Sequence, residues 1–329
     1  MSHTASLAGL RRADEPRFGG KSVSLGELIA GDIPVPPGFA VASTAFAGPP
    51  PVTIDPDDLE KLRDTSAAMV EAVRAAPVPD DVRQEVTERY EELAAAAGTA
   101  EPPVAVRSSA LGEDSADATF AGQQETYLWV RGADDVCRAM RDCWASLYTP
   151  EAMSYRARVG GAGAPAMGVA VQLMVDAAVS GVMFTCNPVS GDPSTVAVNA
   201  TWGLGTAVVG GEVTPDEYRL SKVTGEVLHR SIGPKHIEYV GPARREVPAE
   251  RQEVACLGED RLGLLLEVAR RVERHFGSHQ DIEWALTRDG SLFVLQSRPV
   301  TAARKREPGR ARSAMDYVMG TFGARPGKG

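Results

Sequence analysis

The stretch "DIEWALTRDGSLFVLQSRPVT" (281–301) alternates apolar and polar residues on both sides of an Asp-Gly pair. Asp-Gly between alternating runs predicts a β-hairpin with a two-residue loop at Asp289 and Gly290. Such a loop sets Glu283 opposite Gln296 and Asp281 opposite Arg298. A carboxylate and an amide oxygen are hard donors of the kind Mg²⁺ takes, and a guanidinium offers a two-pronged fork to phosphate. Alternation assigns Ile282, Trp284, Leu286, Phe293 and Leu295 to the other, apolar face. The same pattern also fits a solvated hairpin face with one ordinary ion pair.

Two glycine-containing stretches extend this chemistry. "FGGKS" (18–22) resembles the end of a phosphate loop, but that pattern needs glycine at position 15, where the chain has Glu15. Lys21 can still meet phosphate as a point charge on another scaffold, or lie on the surface. In "VAVRSSALGEDSADATFAGQQETYL" (104–128), a strand ends near Arg107 and a run of small residues follows. Residues 118–124 have little bulk and include Gly122, so their backbone N–H groups can approach phosphates closely. A plain surface loop fits the same residues.

The elements that must position these groups are legible as periodicity. Helical spacing places Leu59, Leu62, Met69, Val70 and Val73 on one face. It does the same for Val82, Val86, Tyr90, Leu93 and Ala97, with Gly98 as the stop. Val136, Met140, Trp144 and Leu147 form the inner face of a helix over 135–148, and 261–276 is a further helix ending at Gly277. Strands are expected at 104–109, 168–175, 180–188, 195–200, 217–221 and 225–230. No internal repeat is present. The 329 residues suffice for two lobes with separate cores.

The net charge of −9 disfavours a broad nucleic-acid surface. Charge is uneven, with seven basic against two acidic residues over 302–329, a stretch that reads as a linker. No apolar run approaches the roughly 18 residues a membrane span needs, so a soluble, cytoplasmic protein without a membrane partner is expected. Cys137, Cys143, Cys186 and Cys256 show no CxxC spacing, which argues against a zinc knuckle.

Eight segments, in order along residues 8–301, together resemble one family. They are "GGKSVSLGEL", "VPPGFAV", "AVRSSALGEDSADATFAGQQETYL", "CWASLYTPEAMSYR", "VAVQLMV", "SGVMFTCNP", "WGLG" with "TPDEY", and "DIEWA" with "LQSRP". The family is the nucleotide-binding domain shared by phosphoenolpyruvate synthase, pyruvate phosphate dikinase and rifampicin phosphotransferase. The resemblance implies an α+β, ATP-grasp-type fold with ATP in a cleft between two lobes, 1–175 and 176–303, followed by a basic tail at 304–329. It implies that Lys21, Arg107 and Arg298 hold phosphates and serve catalysis, and that Gly122 and Thr126 belong to the loop over them. It further implies that Glu283 and Gln296 bind Mg²⁺, and that the backbone at Met174 and Val175 reads adenine.

In this family a histidine on a separate swivelling domain attacks the β-phosphate of ATP, and AMP and phosphate are released. None of His3, His229, His236, His275 and His279 sits in a Thr-Ser-His-like carrier motif. The expected partner is therefore a separate protein bearing the phosphorylatable histidine, with a small-molecule acceptor beyond it. A freestanding small-molecule kinase and a non-catalytic nucleotide-binding module are the alternatives. Thr206 stands where the family commonly has glutamate after "GLG".

Overall fold

The computed structural model describes residues 2–50, 52, 54–111, 125–159 and 165–300. The chain divides into two compact units: Met1–Glu27 with Pro37–Met174, and Leu28–Pro36 with the chain from Val175 onward. The basic tail and Gly122 lie outside the described residues. Helices and antiparallel sheets occur in both units, which makes the fold α+β.

The first unit contains β1 (Thr4–Ser6), α1 (Glu15–Ala30), β2 (Gly38–Val41), α2 (Leu59–Ala75), α3 (Asp80–Ala97), β3 (Val104–Ala110), β4 (Thr126–Val130), α4 (Ala133–Ala145), α5 (Pro150–Val159) and β5 (Met167–Leu173). Its sheet runs in the order β1-β2-β5-β3-β4. The alternation of β3 and β5 turns Val104, Val106, Val169 and Val171 to one face. There they join Phe39, Val41 and the inner faces of α2, α3 and α4 in one core. Leu62 and Val73 of α2 and Val82, Val86, Tyr90 and Leu93 of α3 are buried, as helical spacing requires. Leu59 and Ala97 depart from that reading. Each sits at a helix terminus and is exposed, because the stripe of core contact stops short of the helix end.

The opposite face of this sheet is built from small residues. Ala170, Ala40 and Ala5 lie in register beside Arg107, and Gly168 lies beside Ser109. The start of α1 comes down on this face: a Cβ on Gly168 would stand 2.3 Å from the Phe18 carbonyl oxygen.

The second unit contains β6 (Ala177–Phe184), β7 (Thr195–Trp202), α6 (Thr206–Val209), β8 (Asp216–Ser221), β9 (Val227–Ser231), β10 (Ile237–Val240), β11 (Ala243–Glu246), α7 (Ala249–Gln252), α8 (Glu259–Phe276), β12 (Gln280–Thr287) and β13 (Leu292–Pro299). Its main sheet has the order β13-β12-β6-β7-β8-β9, with a separate β10-β11 ribbon. Ile282, Met183, Val198 and Tyr218 form one buried rung across four strands. α8 packs against β12 and buries Leu262, Leu265, Leu266, Ala269 and Val272.

The closing hairpin differs from the two-residue loop expected for Asp-Gly. Thr287 N–H donates to the Ser291 carbonyl, and Gly290 N–H donates to the Thr287 carbonyl, so the loop holds three residues. Gly290 takes φ 86°, the left-handed conformation that closes a type I turn with a bulge. A second irregularity, between Glu283 and Trp284, inserts Leu295 as an extra residue on β13. The two one-residue shifts cancel, and Glu283 faces Gln296 after all. Between them the register is slipped by one. Phe293 therefore faces Ala285 and Val294 faces Trp284. Phe293 and Leu295 do not share the face of Ile282 and Trp284; they pack with Val175, Ala177 and Ala285 instead.

Candidate functional site

In the first unit the two predicted cations are both buried, Lys21 at 5% and Arg107 at 8% exposure. Burial corrects the surface-lysine reading of Lys21. The chain reaches that position through Gly19, at φ 78°, where a Cβ would lie 2.2 Å from the Ser109 carbonyl oxygen. Only glycine satisfies both the dihedral and the approach. Lys21 Nζ donates to the Ser108 carbonyl at 2.9 Å, and Ser22 N–H donates to Ser109 Oγ at 3.1 Å. The glycine turn is thereby fastened to the end of β3.

Arg107 stands in β3 between Thr126 on one side and Ala170 on the other. Thr126 is exposed, at the first position of β4. Ser108 ties the two strands together: its N–H donates to the Glu125 carbonyl at 3.0 Å, and its Oγ accepts from Glu125 N–H at 2.9 Å.

Met174 and Val175 join the units. Met174 N–H is donated to the Pro103 carbonyl at 2.9 Å, and the Val175 carbonyl accepts from Ala177 N–H at 2.9 Å. Among the described residues, the Met174 carbonyl and the Val175 N–H are not engaged by another backbone group.

In the second unit the hairpin brings Asp281, Glu283, Gln296 and Arg298 onto one face. Gln296 is buried and Glu283 half-buried. Arg298 Nε donates to Asp281 Oδ2 at 3.0 Å, a bond that fixes the guanidinium plane. Burial pushes the Asp281 carboxyl up to about 6, against the pull of Arg298. The rung through Glu283 continues across Val182 to Asn199 and Glu217. Asn199 is buried, and its side-chain nitrogen has no partner among the described residues. Among those residues no group of three His, Cys, Asp or Glu side chains is placed to hold a metal ion. Glu283 and Gln296 offer two hard oxygens side by side, which fits Mg²⁺ completed by water and phosphate oxygens.

The acid of "TPDEY" had no assigned role in the sequence, and its partner was missed. Asp216 and Lys235 are both fully buried and form an ion pair. Asp216 also accepts from Gly233 N–H at 3.2 Å, Tyr218 O–H at 3.1 Å and Cys256 N–H at 2.7 Å. Lys235 Nζ donates further to the Gly233 carbonyl at 2.8 Å. Every acceptor position of the carboxylate is used, so this is a structural pin beneath the sheet. "GPKH" carries no spacing signal that would have singled out Lys235.

A buried lysine on a glycine turn and a buried arginine on β3 in one unit, and hard oxygen donors beside an arginine in the other, are groups of the kind that meet phosphate and Mg²⁺. Comparison with known proteins agrees. The family described as "Pyruvate phosphate dikinase, AMP/ATP-binding domain" matches residues 50–317, and the chain belongs to it. A probable phosphoenolpyruvate synthase from Methanothermobacter thermautotrophicus is 37% identical over 344 residues, covering 99% of this chain and 50% of that protein. A rifampicin phosphotransferase from Streptomyces sp is 42% identical over 305 residues, covering 86% of this chain and 34% of the relative. The chain thus spans half or less of the length of these relatives. Among solved structures, D-alanyl-alanine synthetase A from Vibrio cholerae aligns over 83% of this chain and 53% of its own at 10% identity. Its TM-score is 0.29, too loose a superposition to carry an argument. Among the described residues no helix is long and apolar enough to cross a membrane.

Proposed function

We propose that this chain uses Mg·ATP to phosphorylate a histidine carried by a separate protein, releasing AMP and phosphate, for onward transfer to a small molecule. The observation that carries this reading is the rung pairing Glu283 with Gln296, next to Asp281 with Arg298, in a member of an AMP/ATP-binding family. Phosphoryl transfer asks a protein for in-line positioning and for neutralisation of developing charge rather than for covalent chemistry. Lys21 supplies a point charge to the phosphates. Arg107 and Arg298 supply planar forks, and Asp281 holds the second fork in orientation. Glu283 and Gln296 would hold Mg²⁺, whose contribution when bound is to draw charge off the phosphate oxygens. The Met174 carbonyl and Val175 N–H read the base, while Phe293 and Leu295 line its apolar side.

The test is product analysis with ATP labelled at the β-phosphate. The expected outcome is AMP formation that depends on an added histidine-carrier domain, with the label on the carrier. ADP as product, with a small-molecule acceptor and no carrier, would replace this reading by direct kinase action. A melting scan belongs with it: a ligand at 100 times its Kd that binds only the folded form adds about 2.7 kcal/mol. No shift with saturating Mg·ATP would remove ATP binding altogether.

A further inference from the structure

The motif "WGLG" (202–205) carries no charged group for phosphate or metal, and phosphoryl transfer gives it no part. Its residues are nonetheless tied down one by one. Trp202 Nε1 donates to the Arg251 carbonyl at 3.2 Å, and the Arg251 guanidinium lies 4.6 Å from its ring centre. Gly203 N–H donates to the Ala178 carbonyl at 2.9 Å, and its carbonyl accepts from Ser180 Oγ at 2.7 Å. Gly203 takes φ 65°, and a Cβ there would stand 2.2 Å from the Tyr239 carbonyl oxygen, so only glycine fits. The N–H of Leu204 donates to that same Tyr239 carbonyl at 3.0 Å. The Leu204 side chain packs with Phe293 and Leu295 against Val175, Ala177 and Ala285. Val175, Ala177 and Ala285 are buried, whereas Leu204, Phe293 and Leu295 are each half-buried. The cluster thus has a partly exposed apolar side, made by three large side chains beside Val175.

Tyr239 also grips the far end of the segment that Leu204 begins. Its hydroxyl donates to Glu212 Oε1 at 2.7 Å. Arg244, its cross-strand partner on β11, donates through Nε to Glu212 Oε2 at 2.8 Å. The bond to Tyr239, helped by Arg244, holds the Glu212 carboxyl below its usual range, and the same bond pushes the Tyr239 phenol up. The pair therefore stays carboxylate acceptor and O–H donor near neutral pH. Between the two ends lies α6, whose Ala207 and Val208 are buried with Val182 and Phe184, against which Tyr239 packs. The β10-β11 ribbon stands outside the main sheet, and a two-stranded ribbon is marginal by itself. Scaffolding alone asks for no half-exposed leucine at the turn the ribbon holds.

We propose that Leu204 forms one wall of the base-binding site, and that Tyr239 positions it through its backbone carbonyl and its bond to Glu212. The wall presupposes ATP as the ligand, and what it meets is the flat face of the base, taken by apolar contact.

Calorimetric titration of the full chain with Mg·ATP tests it, with Mg·tripolyphosphate as the probe that lacks a base. Leu204→Ala weakens ATP binding about tenfold or more and leaves tripolyphosphate binding as in wild type. Tyr239→Phe and Glu212→Ala keep the Tyr239 carbonyl but loosen the clamp, and each weakens ATP binding about threefold. In the Leu204→Ala background Tyr239→Phe adds nothing, because the wall it positions is gone. A merely structural clamp would lower the Tm and leave the Kd of the folded chain unchanged, so titrations run where melting scans show each variant folded. Wild-type ATP affinity in Leu204→Ala overturns the wall, as does an equal loss for ATP and tripolyphosphate. Wild-type ATP affinity in Tyr239→Phe, or a loss that simply adds to that of Leu204→Ala, overturns the positioning role. A wild-type chain that binds no Mg·ATP fails the ATP reading itself and takes the wall with it.

Discussion

Ile282 and Glu283 are adjacent in the chain and face opposite sides of one strand. Ile282 is fully buried in the core of the second unit, and Glu283 stands half-buried beside Gln296. Their substitutions therefore separate stability from binding. Ile282→Ala leaves a cavity and costs about 2–5 kcal/mol of stability, with nucleotide affinity retained by the folded fraction. Glu283→Ala and Gln296→Ala keep the fold and lose Mg²⁺-dependent ATP binding. Urea melts, with ATP titrations run in Mg²⁺ and in chelator, distinguish the two outcomes. Full metal dependence in Glu283→Ala would show that this rung is not the metal site. Arg107→Lys belongs to the same scale: it preserves charge but not the fork, and activity is not rescued.

At the scale of elements, the hairpin shows how a site survives irregularity. A three-residue turn and a one-residue bulge on β13 offset one another, so the functional pairs at the base of the hairpin stay in register. The segment between them is what changes, and it delivers Phe293 and Leu295 to the face of Ala177 and Ala285. β8 is held differently, by the Asp216–Lys235 pair. Removing one member of a fully buried pair strands the other charge. Lys235→Met is thus expected to cost about 3–5 kcal/mol, and adding Asp216→Asn is expected to recover part of the loss. Denaturant unfolding of both variants measures this. A loss below about 1 kcal/mol in Lys235→Met would mean that water reaches the carboxylate, contrary to its complete burial.

For the whole molecule, the question is what the chain does without a partner. His3 lies 3.3 Å from Asp81, His236 2.7 Å from Gln252 and His279 2.5 Å from Glu273. His275 meets Phe276 edge-on at 5.2 Å and abuts Gly31. Attack on phosphorus needs the nitrogen within about 3–3.5 Å and in line with the leaving group. Each of these imidazoles is engaged by a neighbouring group, His229 is exposed on β9, and none of the five lies in a carrier motif. The chain incubated alone with Mg·ATP is expected to form no acid-labile phosphohistidine. Stoichiometric label on this polypeptide would place the carrier within it and sink the two-protein scheme.

The sequence by itself determined what depends on neighbours a few residues apart. Helical periodicity placed Val82, Val86, Tyr90 and Leu93 on one buried face, and strand alternation separated Ile282 from Glu283. Eight ordered motifs were enough to indicate the family. Tertiary structure decided what depends on distant chain. The bulge at Glu283/Trp284 is set by packing, because Asp-Gly constrains only the turn and not the strand beyond it. Lys21 became buried because Gly19 lets the chain lie on Ser109, 90 positions later. Asp216 met Lys235, and Arg156 met Tyr148, through contacts that no spacing encodes. A side chain's chemistry is local, but its desolvation and its partners belong to the assembled fold.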